Sequence, residues 1–111
     1  MSVSPNLSPL QFTDAELRRE FEEHLRRWKD ETAAISSTSQ RALHPAYQRI
    51  IGMGPRVVPL LLEELKTSPT WLFWALKAIT NVDPVPSQSQ GKLKEMAQAW
   101  IEWGRELGLV R

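Results

Sequence analysis

Glu16, Glu20 and His24 stand at i, i+4 and i+8, which places them on one face of any helix that holds them. A Glu–His pair one turn apart can chelate a metal. A metal site needs at least three ligands and outer-shell support, and its usual helical spacings, HExxH and ExxH, are absent here. The other histidine, His44, lies twenty residues further on. No metal or cofactor is therefore expected, and His24 reads as a half-buried histidine beside an apolar stripe. Nucleophilic catalysis would need a hydroxyl near a base. Ser36, Ser37, Thr38 and Ser39 precede His44, but they are better explained as turn and loop formers. Gly52-Met53-Gly54 lacks both the spacing of a phosphate-binding loop and a preceding strand. With no cysteine, thiolate chemistry and disulfides are excluded. The expectation is a protein that is not an enzyme.

The elements that carry these residues are helical. Residues 1–12 hold two prolines and no periodicity and read as an extended arm; one helical domain is expected over 13–108. Thr13 with Glu16 makes a capping box, and Phe12 with Leu17 a hydrophobic staple. An apolar stripe follows at Leu17, Phe21, Leu25 and Trp28, predicting a helix to about Ala34. The polar run 36–40 reads as a connector. Pro45 suits a first helical position, with His44 as its cap, for a short helix to Gly52. Val57, Val58, Leu61, Leu62 and Leu65 form the face of the next helix, in which Pro59 is tolerable only in the first turn. Ser68-Pro69 is expected to cap a helix over 69–80. That segment is apolar nearly all round (Trp71, Leu72, Trp74, Ala75, Leu76, Ile79), so it is expected to be the buried centre, with Trp74 inside it. Ser87 with Gln90 repeats the capping-box pattern before a last helix with Leu93, Met96, Ala97, Trp100, Ile101 and Leu107 on one face and Gly108 as its stop. The fold class is all-α with about five helices.

Composition narrows the function classes. In 111 residues, 41% hydrophobic and 24% charged, there is room for one core. No apolar run is long enough for a membrane span, and Met1–Leu10 has no basic start followed by an apolar stretch, so neither a membrane protein nor a secretory signal is expected and the cytoplasm is the default. Residues 1–40 carry five basic and seven acidic side chains, residues 41–111 nine and six. Arg18, Arg19, Arg26 and Arg27 alternate with Glu20, Glu22 and Glu23, which would repel a phosphate backbone, so nucleic acid is not the expected ligand.

The run Ile51-Gly52-Met53-Gly54-Pro55-Arg56-Val57-Val58-Pro59-Leu60-Leu61 resembles the turn and second helix of a HEAT-like repeat. Ala75-Leu76-Lys77-Ala78-Ile79-Thr80, the proline loop and Trp100-Ile101-Glu102-Trp103 are similar to a closing repeat of that family. The resemblance covers residues 44–107 and extends to small bacterial proteins with the same run of features. It implies an N-terminal capping helix followed by two HEAT-like helix pairs, and a protein-binding scaffold without catalytic residues. Stacked pairs would make the helices at 57–66 and 90–107 neighbours. Their polar sides show Arg56, Glu63 and Lys66, then Lys94, Gln98, Glu102 and Arg105, with Trp103 at the stripe's border as an anchor for a protein partner. The alternative is a small bacterial regulator or antitoxin-like partner that contacts nucleic acid.

Protein purified without chelator should carry no stoichiometric zinc or iron; a stoichiometric metal lost on His24→Ala would overturn this reading of the Glu16–Glu20–His24 face.

Overall fold

The computed structural model describes residues 11–111. The arm expected over residues 1–12 therefore falls, up to Leu10, outside the described residues. Among those described the chain is all-helical. Six α-helices follow one another: α1 (Asp14–Glu31), α2 (Thr38–Ala42), α3 (Pro45–Gly52), α4 (Val58–Thr67), α5 (Phe73–Thr80) and α6 (Leu93–Glu106). None is long and apolar enough to cross a membrane.

Local chemistry sets several of the ends. At the start of α1 the Thr13 hydroxyl accepts from the Glu16 N–H (3.2 Å) and the Glu16 carboxylate accepts from the Thr13 N–H (2.9 Å). That backbone donor, with the Thr13 side chain, holds the Glu16 carboxyl below the usual carboxylate range. The helix stops at Glu31, short of the expected Ala34. The buried Thr32 ends it, its hydroxyl and its N–H both donating to the Trp28 carbonyl. His44 caps α3 as expected: its Nδ1 accepts from the Ala46 N–H (3.0 Å). With Nδ1 accepting, the ring proton sits on Nε2 and is donated to Glu31 across 2.8 Å. Gly54, at φ 77°, turns the chain into a 3-10 turn over Pro55–Val57, and Pro59 falls in the first turn of α4.

Other boundaries differ from the sequence reading. α2 starts within the 36–40 connector and runs on to Ala42, because Ser37 acts as an N-cap and accepts from the Gln40 N–H. Ser68 closes α4 instead of opening the next helix, residues 68–72 are irregular, and α5 begins only at Phe73. Ser87 and Gln90 form no capping box. Residues Ser87–Ser89 make a 3-10 turn, Gly91 breaks the chain at φ 83°, and the Ser89 hydroxyl instead donates to Glu95. Leu107 lies beyond the end of α6 and is exposed, not part of the apolar face.

The core is centred on α3 and not on the 69–80 segment. α3 packs against α1 on one side and α5 on the other, with α2 resting on it, and its Ala46, Tyr47 and Ile50 are wholly buried. The Trp28 ring of α1 lies 5.2 Å from that of Tyr47 at a tilt of 54°. The Trp28 Nε1–H donates to the Arg41 carbonyl of α2 (2.8 Å), and the Arg41 guanidinium covers the same ring. α4 packs on α6, and a 2.6 Å ion pair from Lys29 to Glu64 ties α1 to α4.

The α4–α6 contact depends on Gly104. A Cβ there would lie 2.5 Å from Leu62 Cδ1 and 3.0 Å from Val110 Cγ1, and Leu62 is fully buried. Alanine would gain about 1 kcal/mol of helix propensity. Overpacking of a core that cannot yield costs about 1–3 kcal/mol. Gly104→Ala should therefore lower stability, read as a lower urea midpoint. Gly52→Ala, with nothing near its Cβ, should not; a Gly104→Ala midpoint at or above wild type would show that Leu62 moves freely.

Candidate functional site

The site lies where α2 and α5 both lean on α3 without closing on one another. Ala42 and Leu43 border it on the α2 side, and Trp74, Lys77 and Ala78 on the α5 side. Tyr47 and Ile51 of α3 are at its base. Two adjoining grooves of about 180 and 400 Å³ share Ala42, Tyr47, Trp74 and Lys77. Trp74, expected in the core, is 52% exposed, and Leu43 69%.

Tyr47 explains why Trp74 faces out. α5 has no N-cap side chain of its own, since its cap residue is Leu72. Its N-terminal N–H groups still need acceptors. The Tyr47 hydroxyl accepts from the Ala75 N–H (2.9 Å) and donates to the Trp71 carbonyl (3.1 Å). It is thus a cap supplied from another helix. Burial pushes the Tyr47 phenol well above its ordinary range, outweighing the donated N–H, so the hydroxyl keeps the proton it gives to Trp71. With Ala75 fixed inward, Leu72, Ala75 and Leu76 are buried, and Trp74, Lys77 and Ala78 share the opposite side at i, i+3 and i+4.

Among the described residues bordering the grooves, Lys77 carries the one formal charge. Its amine lies 3.5 Å from Asp83, an exposed pair of the kind that contributes little. Asp83 is held outside the grooves, its Oδ1 accepting from the Val85 N–H.

The residues singled out from the sequence lie elsewhere. α4 and α6 are neighbours. Arg56 donates to the Phe12 carbonyl and pairs with Asp14, tying the 55–57 turn to the start of α1. Lys66 reaches Glu63 and the Arg111 carbonyl, and Gln98 donates to Glu102. Lys94 and Arg105 are exposed. Trp103 is half-buried, its ring edge-on to the fully buried Trp100 at 5.3 Å, beside a shallow groove with Pro84, Pro86, Glu102 and Glu106. The Glu16–Glu20–His24 face is divided: Glu16 is held by Thr13, and His24 pairs with Glu20 at 3.1 Å. Among the described residues no three His, Cys, Asp or Glu side chains gather as a metal site.

Sequence reasoning missed Trp74 and Leu43. The available signal was Lys77, a cation three residues after Trp74 in an otherwise apolar helix, which marks the side that faces water. Comparison with known protein families, with curated proteins and with solved structures found no match.

Half-burial of a large side chain contributes about 1 kcal/mol. Trp74→Ala should thus cost about 1 kcal/mol in urea unfolding, while Leu76→Ala, at a wholly buried position, should cost about 2–5 kcal/mol. Tyr47→Phe should cost about 1–3 kcal/mol through the two backbone groups it strands. A Trp74→Ala loss as large as that of Leu76→Ala would place the ring in the core.

Proposed function

We propose that this chain is a non-catalytic protein-binding module, a short HEAT-like stack of helix pairs whose partner docks on the Trp74 face. The observation that carries this reading is the pairing of a half-exposed tryptophan with the more exposed Leu43 across a preformed cleft. Tryptophan is enriched at the centres of binding surfaces because it offers a large rigid area for little lost entropy. Isolated exposed apolar side chains need no explanation; grouped ones that border grooves do.

The neighbour order supports the helix-pair part of the reading. α1 packs on α3 and α3 on α5 in one layer, while α4 packs on α6 in the other. In such stacks equivalent helices of successive pairs share a surface, and partners bind there. The α3–α5 layer carries Trp74 on its open side. The groove volumes fit this use. At about 180 and 400 Å³ they stand below or near the bottom of the range for enclosed small-molecule sites, and they suit side chains inserted from a surface. Trp103 offers less, since part of its area is already spent on Trp100.

A photo-cross-linking amino acid at position 43, with a second variant at position 98 on α6 as control, tests this in the source cell. A discrete protein adduct from position 43 that disappears when Trp74→Ala is added is the expected result. Adducts from position 98 alone, nucleic acid in place of protein, or no adduct from position 43 would overturn it.

A further inference from the structure

We infer that the partner segment is acidic as well as apolar: aliphatic side chains that enter the grooves on Trp74, flanked by a carboxylate that meets Lys77. This rests on the protein-binding reading and names the chemistry of its partner.

Charge selects the partner. The chain has 13 acidic residues, yet none borders either groove. Seven lie within residues 14–31, on α1, and Glu102 and Glu106 line the separate Trp103 groove. The polar groups that do border the Trp74 grooves include the Lys77 ammonium and the Thr38 and Ser39 hydroxyls, and among the described residues the one charge there is positive. A ligand carboxylate thus finds a cation and no competing carboxylate inside the cleft, whereas a ligand ammonium would be repelled by Lys77. Asp83 does not cancel this. Its pair with Lys77 is 3.5 Å long and exposed, and its other oxygen is held by the Val85 N–H outside the grooves, so a second carboxylate can share the amine from the groove side.

The same facts select against other occupants. A second copy of the chain docking face to face would bring Lys77 against Lys77 and offer neither a carboxylate from within the grooves, since Asp83 lies outside them. An anionic membrane surface is bound by clusters of cations beside an apolar face, and among the described residues bordering these grooves there is one.

The test uses the full chain and two synthetic amphipathic peptides. They share leucines at i, i+3 and i+7 and differ only in flanking glutamates or lysines. Binding is followed by the anisotropy of a fluorescent label on each peptide, in wild type and variants alike, and located by the Trp74 indole N–H resonance of the wild type, assigned through Trp74→Phe. The glutamate peptide should bind about fivefold or more tightly than the lysine peptide, with the preference fading in about 1 M salt, where charges are screened within about 3 Å. Lys77→Glu, an exposed substitution, should invert the preference, and Trp74→Ala should abolish binding of both peptides. Equal affinity for the two peptides, lost in Trp74→Ala, would overturn the acidic partner and leave the docking surface standing. Failure of both peptides to shift the Trp74 resonance, or concentration-dependent self-association lost in Trp74→Ala, would overturn both.

Discussion

The Tyr47 hydroxyl is the contact on which the arrangement turns. It is buried, it keeps its proton, and it uses both of its hydrogen-bonding roles on one short stretch of backbone, the Trp71 carbonyl and the Ala75 N–H. The ring beneath it packs against Trp28, whose own N–H holds α2 through the Arg41 carbonyl. One aromatic pair therefore sets the positions of α1, α2, α3 and α5 together. An N-terminus with no cap of its own would ordinarily fray or leave buried donors unpaired. Here that deficit is met by tertiary structure, which fixes where α5 starts and which of its sides turns inward.

The same contact explains which parts of the fold are readable in the chain and which are not. Features set by neighbours in sequence read directly: the Thr13–Glu16 box, the His44 cap with Pro45, Pro59 in a first turn, the stop at Gly108. The boundaries that fail are those set across space. Ser68-Pro69 has the composition of a helix start, but α5 takes its cap from a residue 28 positions earlier. Ser87 and Gln90 have capping-box spacing, but Ser89 is drawn to Glu95 and Gly91 intervenes. α2 fails for a different reason. Its serines suit a loop and a cap equally well, and only the packing of Ala42 under α3 decides between them.

At the candidate site the difficulty was one of phase. A segment with Trp71, Leu72, Trp74, Ala75, Leu76 and Ile79 looks buried on every side if its residues are counted. Assigned to a helix beginning at Phe73, it divides. Leu72, Ala75 and Leu76 are buried, while Trp74 shares the outer side with Lys77. Counting hydrophobic residues ranks Trp74 with the core; the position of Lys77 places it in water. Leu43 carried no such mark, since a single apolar residue in a polar run is ordinary on any surface.

The α4–α6 contact and the α2–α5 cleft have opposite designs, and the contrast bears on the use proposed for the cleft. Between α4 and α6 the missing side chain of Gly104 lets Leu62 and Val110 fill the gap, and the contact closes. Between α2 and α5 the tethers work the other way. α2 is held from below by Trp28 and α5 from below by Tyr47, and both bonds use buried groups that would be stranded if either helix slid across to cover Trp74. Collapse onto the tryptophan would gain apolar burial of about 1 kcal/mol, set against about 1–3 kcal/mol for each buried polar group left unpaired. The balance keeps the cleft open in the free protein. A surface held in its binding shape before the partner arrives loses less entropy on association, so more of the contact energy appears as affinity.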